Sequence, residues 1–195
     1  MKRSAILACL LALVLGGCGH DDDPYFDVNV TMINSGAPVQ ADLCILDDTV
    51  FPPLCGVSED FVLVRMRNKP RSDLVITDTN TFLHDFHVQS YSVTWRRVDG
   101  GPSADPGGAW NIADHDFEAG TSVVVPVGGF AEFTIMVSPA AMKLTEPFTS
   151  ALTNGQEVLL IADIDFVGTR GISSDVEIHV PAALSVNFAN FFDED

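Results

Sequence analysis

Alternation of apolar and polar residues is the main pattern along the chain after Pro24. Between residues 26 and 32 every second position is apolar, which is the period-two signature of a half-buried strand. The same signature recurs in seven further segments, 61–67, 91–97, 122–127, 130–137, 158–167, 176–180 and 184–188. Glycine and proline signals, among them Gly168 and Pro181, separate these segments, and only residues 140–151 have room for a helical turn, which Pro147 interrupts. The pattern predicts an all-β fold, a single antiparallel β-sandwich.

One of these segments also indicates which side chains form the core. Tyr91, Val93 and Trp95 alternate with polar residues, so we expect all three to point inward. The strand count and a buried tryptophan resemble immunoglobulin-like sandwiches. Cys44 and Cys55, however, are too close in sequence to be the pair that joins the two sheets of a true immunoglobulin domain.

The N-terminus has the organisation of a cleaved export signal. A charged start is followed by an apolar run over residues 4–15 and by the sequence Leu-Gly-Gly-Cys that ends at Cys18. This segment resembles a bacterial lipoprotein precursor. The resemblance implies cleavage before Cys18 and attachment of lipid to its thiol; the alternative is an ordinary secretory signal with an accidental cysteine. We therefore divide the chain into a signal peptide at 1–17, a lipidated cysteine and acidic tether at 18–24, a sandwich domain at 25–190 and an acidic tail at 191–195.

A second resemblance concerns the remainder of the chain. Segments 61–68, 88–97 and 184–191 are similar to uncharacterised lipoproteins of metal-reducing and related proteobacteria. That family implies a fold but no established activity. Because Gly19 rather than an aspartate follows the cysteine, the sequence resembles lipoproteins that are released to the outer membrane.

The charge of the chain narrows the classes of partner. The formal net charge is −17, and it becomes −19 once Lys2 and Arg3 leave with the signal. Such an excess of acid argues against nucleic acid and against adhesion to anionic lipid, since both require basic residues. Attachment to the membrane is therefore expected through the N-terminal lipid alone.

The four cysteines are distinguished by their positions. Cys9 lies in the signal and Cys18 carries the lipid, which leaves Cys44 and Cys55 as a predicted disulfide in an oxidising compartment. No Cys-x-x-Cys or haem-attachment spacing is present.

A long polar loop is the predicted interaction surface. Residues 99–116 carry two glycine-proline clusters together with Trp110, and loops of this length are uncommon unless they are functional or disordered. Trp110 is expected either to anchor a partner or to fold back over the open end of the sandwich. The same loop ends in Asp114, His115 and Asp116, which complete the candidate interaction site.

Metal binding has weaker support in the sequence. Calcium could be held by Asp114–Asp116 together with Asp163, Asp165 or the pair at 47–48, but no calcium-loop motif is present. His84 and His87 could bind zinc only if a helix brought them together. We predict no metal and no cofactor.

Catalytic motifs are missing as well. The sequence has no Gly-x-Ser-x-Gly elbow and no glycine-rich phosphate loop followed by a helix. The prediction is a non-enzymatic, lipid-anchored envelope protein with a binding, scaffolding or adhesion role, whose partner is an envelope protein or polysaccharide. The alternative is a secreted hydrolase or carbohydrate-active module on the same kind of sandwich.

Overall fold

The computed structural model describes residues 26–47, 54–71, 81–171 and 176–191. Most of these residues lie in strands. The ten strands are β1 (Phe26–Ile33), β2 (Val39–Asp42), β3 (Ile45–Asp47), β4 (Leu54–Gly56), β5 (Asp60–Pro70), β6 (Phe86–Arg97), β7 (Phe117–Val125), β8 (Phe130–Ser138), β9 (Val158–Arg170) and β10 (Ile178–Ala189). Two short helices, α1 (Ala140–Lys143) and α2 (Phe148–Asn154), lie on either side of Pro147, and single 3-10 turns span Asn34–Gly36, Thr81–Leu83 and Ile112–His115. None of the described helices is long and apolar enough to cross a membrane.

The strands form two main sheets. One has the order β1-β5-β8 and the other the order β2-β10-β9-β6-β7, while β3 and β4 form a small hairpin. All pairs are antiparallel except β2 with β10, which is parallel, so the prediction of a wholly antiparallel sandwich is wrong at this edge. Both pairing modes give the same period-two alternation, which is why the sequence pattern could not distinguish them.

The core lies between the two sheets. The predicted inward positions are confirmed, since Tyr91, Val93 and Trp95 are all buried. Trp95 on β6 packs edge-on against Phe188 on β10 of the same five-stranded sheet, with ring centroids 5.7 Å apart. The Tyr91 hydroxyl also connects the sheets, because it donates to the carbonyl of Met136 on β8 and accepts from the Met136 amide, both at 3.1 Å.

Two residues that were expected to separate strands lie inside them. Pro181 is within β10 opposite Asp165 of β9, and the other side of β10 pairs with β2 only from Val186 onward. At that position β10 is therefore an edge, where proline costs no ladder hydrogen bond. Gly168 lies in β9, where a Cβ atom would stand 2.3 Å from the His87 carbonyl oxygen. The glycine permits a close approach of two strands instead of ending one.

Candidate functional site

A cavity of about 390 Å³ opens at one end of the five-stranded sheet, where β6 ends and β9 begins. It is bounded by apolar side chains, one aromatic ring and three charged groups. The lining residues are Arg97, Val98, Asp99, Trp110, Ile112, Pro147, Glu157, Val158, Leu159 and Leu160. Concave sites of this size and composition are typical of small-ligand binding.

The loop that carries Trp110 is held by main-chain hydrogen bonds. The amide of Asp105 donates to the Trp110 carbonyl, and the amide of Ile112 donates to the Ser103 carbonyl, both at 2.9 Å. Gly108 closes the turn with a positive φ of 70°, which a residue with a Cβ adopts only at a cost. Within the segment that was predicted as a long polar loop, Ala104 and Asn111 thus form an isolated antiparallel bridge, which the turn Ile112–His115 follows.

Trp110 combines features of the two roles that the sequence left open, which are to anchor a partner and to cover the open end of the sandwich. Its side chain is half-buried and packs against the hydrophobic core, and it also lines the cavity. Ile112, two residues further on, is fully buried and continues the same wall. A ligand in the cavity would therefore meet an aromatic surface whose position is already set by core packing.

Charged groups surround the mouth of the cavity. Arg97 Nη2 lies 2.6 Å from Asp99 Oδ2, and Asp99 Oδ1 accepts from the Gly101 amide at 2.9 Å. The adjacent guanidinium and this amide hold the pKa of Asp99 well below its usual range. Glu157 accepts a hydrogen bond of 3.3 Å from Asn187 Nδ2. These groups offer both donors and acceptors to a polar ligand edge.

The other three residues of the predicted interaction site make separate local contacts. Asp114 receives a long hydrogen bond of 3.5 Å from Asn111 within the turn Ile112–His115. His115 packs its ring against Phe148, with centroids 5.7 Å apart. Asp116 accepts from the main-chain amide of Trp95 at 2.8 Å. None of the three is among the residues that line the cavity.

The metal hypotheses find no support among the described residues, which contain no group of three or more His, Cys, Asp and Glu that could hold an ion. Asp163 faces Arg96 at 2.5 Å and Asp165 faces His179 at 2.6 Å on the exposed side of β9. His84 stacks on Phe26 instead of meeting a second histidine. The acidic pair at 47–48 lies outside the described side chains.

A buried ion pair was not predicted by the sequence. The side chain of Lys143 is completely buried, and its Nζ lies 2.9 Å from Asp60 Oδ2 and donates to the Asp42 carbonyl oxygen at 2.8 Å. Burial raises the pKa of Asp60 above its ordinary value, the neighbouring ammonium opposes this increase, and the charge of Asp42 adds to it. The pair connects the ends of β2 and β5 to α1. A single lysine in an apolar segment gives no periodic signal, so only the tertiary structure reveals its partner.

The cysteine predictions concern residues that are only partly described. Cys18 lies outside the described residues. Cys44 is buried just before β3, and Cys55 lies on β4, which pairs with β3 and places Cys55 opposite Leu46. The side chain of Cys55 lies outside the described residues, and the disulfide stays a prediction.

Comparison with known proteins gives no match to a family model and none to a curated protein sequence.

Proposed function

We propose that this chain is a lipid-anchored protein of the cell envelope whose immunoglobulin-like sandwich binds a saccharide in the Trp110 cavity without transforming it. The observation that carries the binding role is the cavity itself, where Trp110 stands among apolar side chains and beside an ion pair. Such a site suits a ligand with one apolar face and a polar edge, which describes a sugar ring. The outer membrane is the proposed location, as the resemblance of the segment around Cys18 and Gly19 to outer-membrane lipoproteins implies.

The electrostatics of Asp99 favour binding over hydrolysis. Cleavage of a glycosidic bond requires a carboxylic acid whose pKa is raised, so that it can protonate the leaving group. The pKa of Asp99 is instead lowered by Arg97 and by the Gly101 amide. Asp99 therefore remains ionised and acts as a hydrogen-bond acceptor at the mouth of the cavity.

Titration of tryptophan fluorescence tests the binding role. Trp95 is buried in the core and Trp110 lines the cavity, and the chain has no further tryptophan. We expect chitobiose or a longer envelope saccharide to change the Trp110 emission in a saturable way. Because Trp110 variants lack this fluorophore, their binding is measured by calorimetry, and Trp110→Ala should abolish it. Phe130→Ala, a change at an exposed aromatic on the other sheet, is the matched control and should leave binding intact. Saturable binding that persists in a Trp110→Ala variant would exclude the cavity.

The anchor has its own test. Only a thiol at position 18 can take up the lipid, so Cys18→Ser should give an unprocessed precursor that is missing from the outer-membrane fraction. Intact mass measurement shows whether the precursor is processed, and membrane fractionation shows where the protein is located. A Cys18→Ser chain with the parental mass and location would refute the lipoprotein assignment, while Cys9→Ser, inside the signal, serves as the control that leaves lipidation in place.

A further inference from the structure

The outward side of β5 has a different character from the rest of this acidic protein. Val62, Val64 and Met66 point into the core, so the alternate side chains of the strand face outward. We define the β5 outer face by these alternate residues and their aromatic neighbour on β8, namely Phe61, Leu63, Arg65, Arg67, Lys69 and Phe130. It combines exposed apolar groups with a row of positive charges.

Basic residues are concentrated here. Three of the ten lysines and arginines of the chain, Arg65, Arg67 and Lys69, lie on this face. Arg65 forms an ion pair with Glu132, and Asp27 stands opposite Lys69. Neither residue directly opposite Arg67 is a carboxylate, since its cross-strand partners are Asn29 and Phe130. With Arg65, Arg67 and Lys69 set against Glu132 and Asp27, the face carries one net positive charge on a molecule whose net charge is −17.

Large apolar side chains lie among these charges. Phe61 and Phe130 are each 58% exposed, and Leu63 is 40% exposed. The Arg65 guanidinium lies over the Phe130 ring, 5.1 Å from its centroid. Arginine beside aromatic and aliphatic groups is the composition that favours the interface between lipid headgroups and acyl chains.

The direction of the chain brings this face to a bilayer. β1 begins at Phe26, which pairs with Pro70, so the described chain begins at the end of the face that carries Lys69. Seven residues separate Cys18 from Phe26, and the eight steps between the two Cα atoms reach at most about 29 Å when fully extended. Given the proposed lipidation of Cys18, on which this step rests, the β5 outer face is confined close to the headgroups.

We propose that the β5 outer face docks on an anionic lipid surface, the headgroup layer of the bilayer that holds the anchor. The arginines and Lys69 contact phosphate groups while Phe61 and Phe130 enter the upper acyl region. The aspartates at 21–23 oppose the contact electrostatically, but they lie in the tether and not on the face. Docking would fix the orientation of the sandwich and leave the five-stranded sheet facing away from the membrane.

Vesicle sedimentation tests the docking without the anchor. The chain from residue 19 to residue 195 contains every described residue and no lipidation site, so its binding does not depend on Cys18. The probes are vesicles of phosphatidylcholine alone and of phosphatidylcholine mixed with phosphatidylglycerol. We expect binding to the mixed vesicles only, and loss of binding at high salt, since exposed charges are then screened.

Matched variants locate the contact. Arg67→Gln should lower the partition coefficient about fivefold, which corresponds to one basic residue at an anionic surface. Arg96→Gln, which removes the same charge from the exposed side of the other sheet, should have no effect. Phe130→Ala should weaken binding while leaving its salt dependence in place.

Two results would overturn the proposal: no binding to mixed vesicles, or equal losses for Arg67→Gln and Arg96→Gln. Concentration-dependent dimerisation in solution that Phe130→Ala abolishes, without vesicle binding, would assign the face to a second copy of the chain instead. If the vesicles are bound but native Cys18 carries no lipid, the anchor fails and the docking stands. If Cys18 is lipidated and the vesicles are not bound, only the docking fails.

Discussion

Replacement of Lys143 by methionine should expose the energetic importance of the buried ion pair. Methionine preserves the length and apolar stem of the side chain but removes the ammonium. The change leaves the Asp42 carbonyl without its donor and Asp60 without its counter-ion. Since the Lys143 side chain is fully buried and that of Asp60 is only 13% exposed, water cannot readily replace either contact.

The expected loss is about 3–5 kcal/mol of unfolding free energy at neutral pH, the range measured when one partner of a buried ion pair is removed. Roughly 1 kcal/mol of it comes from the hydrogen bond to the carbonyl. The remainder comes from Asp60, which must either stay ionised in a buried site or take up a proton. The double variant Lys143→Met, Asp60→Asn should lose less than Lys143→Met alone, because it leaves no buried charge.

The loss should also depend on pH with a defined sign. Burial raises the folded-state pKa of Asp60 above its ordinary value of 3.8, and removal of the ammonium raises it further. The folded state then binds a proton more tightly than the unfolded state, so this contribution is complete below the unfolded pKa and disappears as pH rises through the folded pKa. Lys143→Met should therefore be more destabilising at pH 8 than at pH 5.

Urea unfolding followed by tryptophan fluorescence measures both quantities. With a slope of about 2 kcal/mol per molar urea, the midpoint at pH 8 should fall by about 2 M. Lys69→Met removes an exposed lysine from β5 and is the control, with an expected effect within about 0.5 kcal/mol. A loss below about 1 kcal/mol that is the same at pH 5 and pH 8 would show that the pair does not stabilise the fold.

Three further predictions concern the packing and the loop. Gly168→Ala should cost about 2 kcal/mol or more, because its Cβ would overlap a neighbouring strand, while Gly120→Ala, which has open space, should leave the thermal midpoint nearly unchanged; circular dichroism melts compare them. Alkylation of the unreduced, denatured chain should label neither Cys44 nor Cys55, and quantitative labelling of both would refute the disulfide. Trp110→Ala should lower the unfolding free energy, measured with urea, by about 2 kcal/mol. This is less than for replacement of a fully buried tryptophan, because the Trp110 side chain is half-exposed. A loss near 4 kcal/mol would make Trp110 a purely structural residue.

Strand length explains which parts of the fold the sequence could predict. β9 alternates throughout its buried part, and β6 alternates on either side of a bulge between Val88 and Ser90. The inward residues Tyr91, Val93 and Trp95 were predicted because burial on one face requires that alternation. β2 has four residues and β3 and β4 have three each, too few for a periodic signal. Pro181 and Gly168 were expected to separate strands. Pro181 instead lies where β10 is an edge, and Gly168 lies where two strands approach closely, and both positions accept these residues inside a strand.

The candidate site was predictable only in part for a similar reason. Composition alone identified the segment that contains Trp110, since a large aromatic in a glycine-rich polar stretch is conspicuous. The opposite wall of the cavity comes from Pro147 and from Val158–Leu160, which approach Trp110 through strand pairing and not through sequence proximity. Asp114, His115 and Asp116 are adjacent in the sequence but contact three different elements.

The β5 outer face shows why net charge can mislead about a surface. The same period-two alternation that places Val62, Val64 and Met66 in the core places Arg65 and Arg67 outside, so the basic row could be inferred from the sequence alone. Which carboxylates oppose that row depends on register. With Arg65 opposite Glu132, Arg67 falls opposite Phe130, whereas a slip of two residues would pair Arg67 with Glu132 and cancel its charge. The positive excess of the face is thus a property of strand pairing, and the average over an acidic chain conceals it.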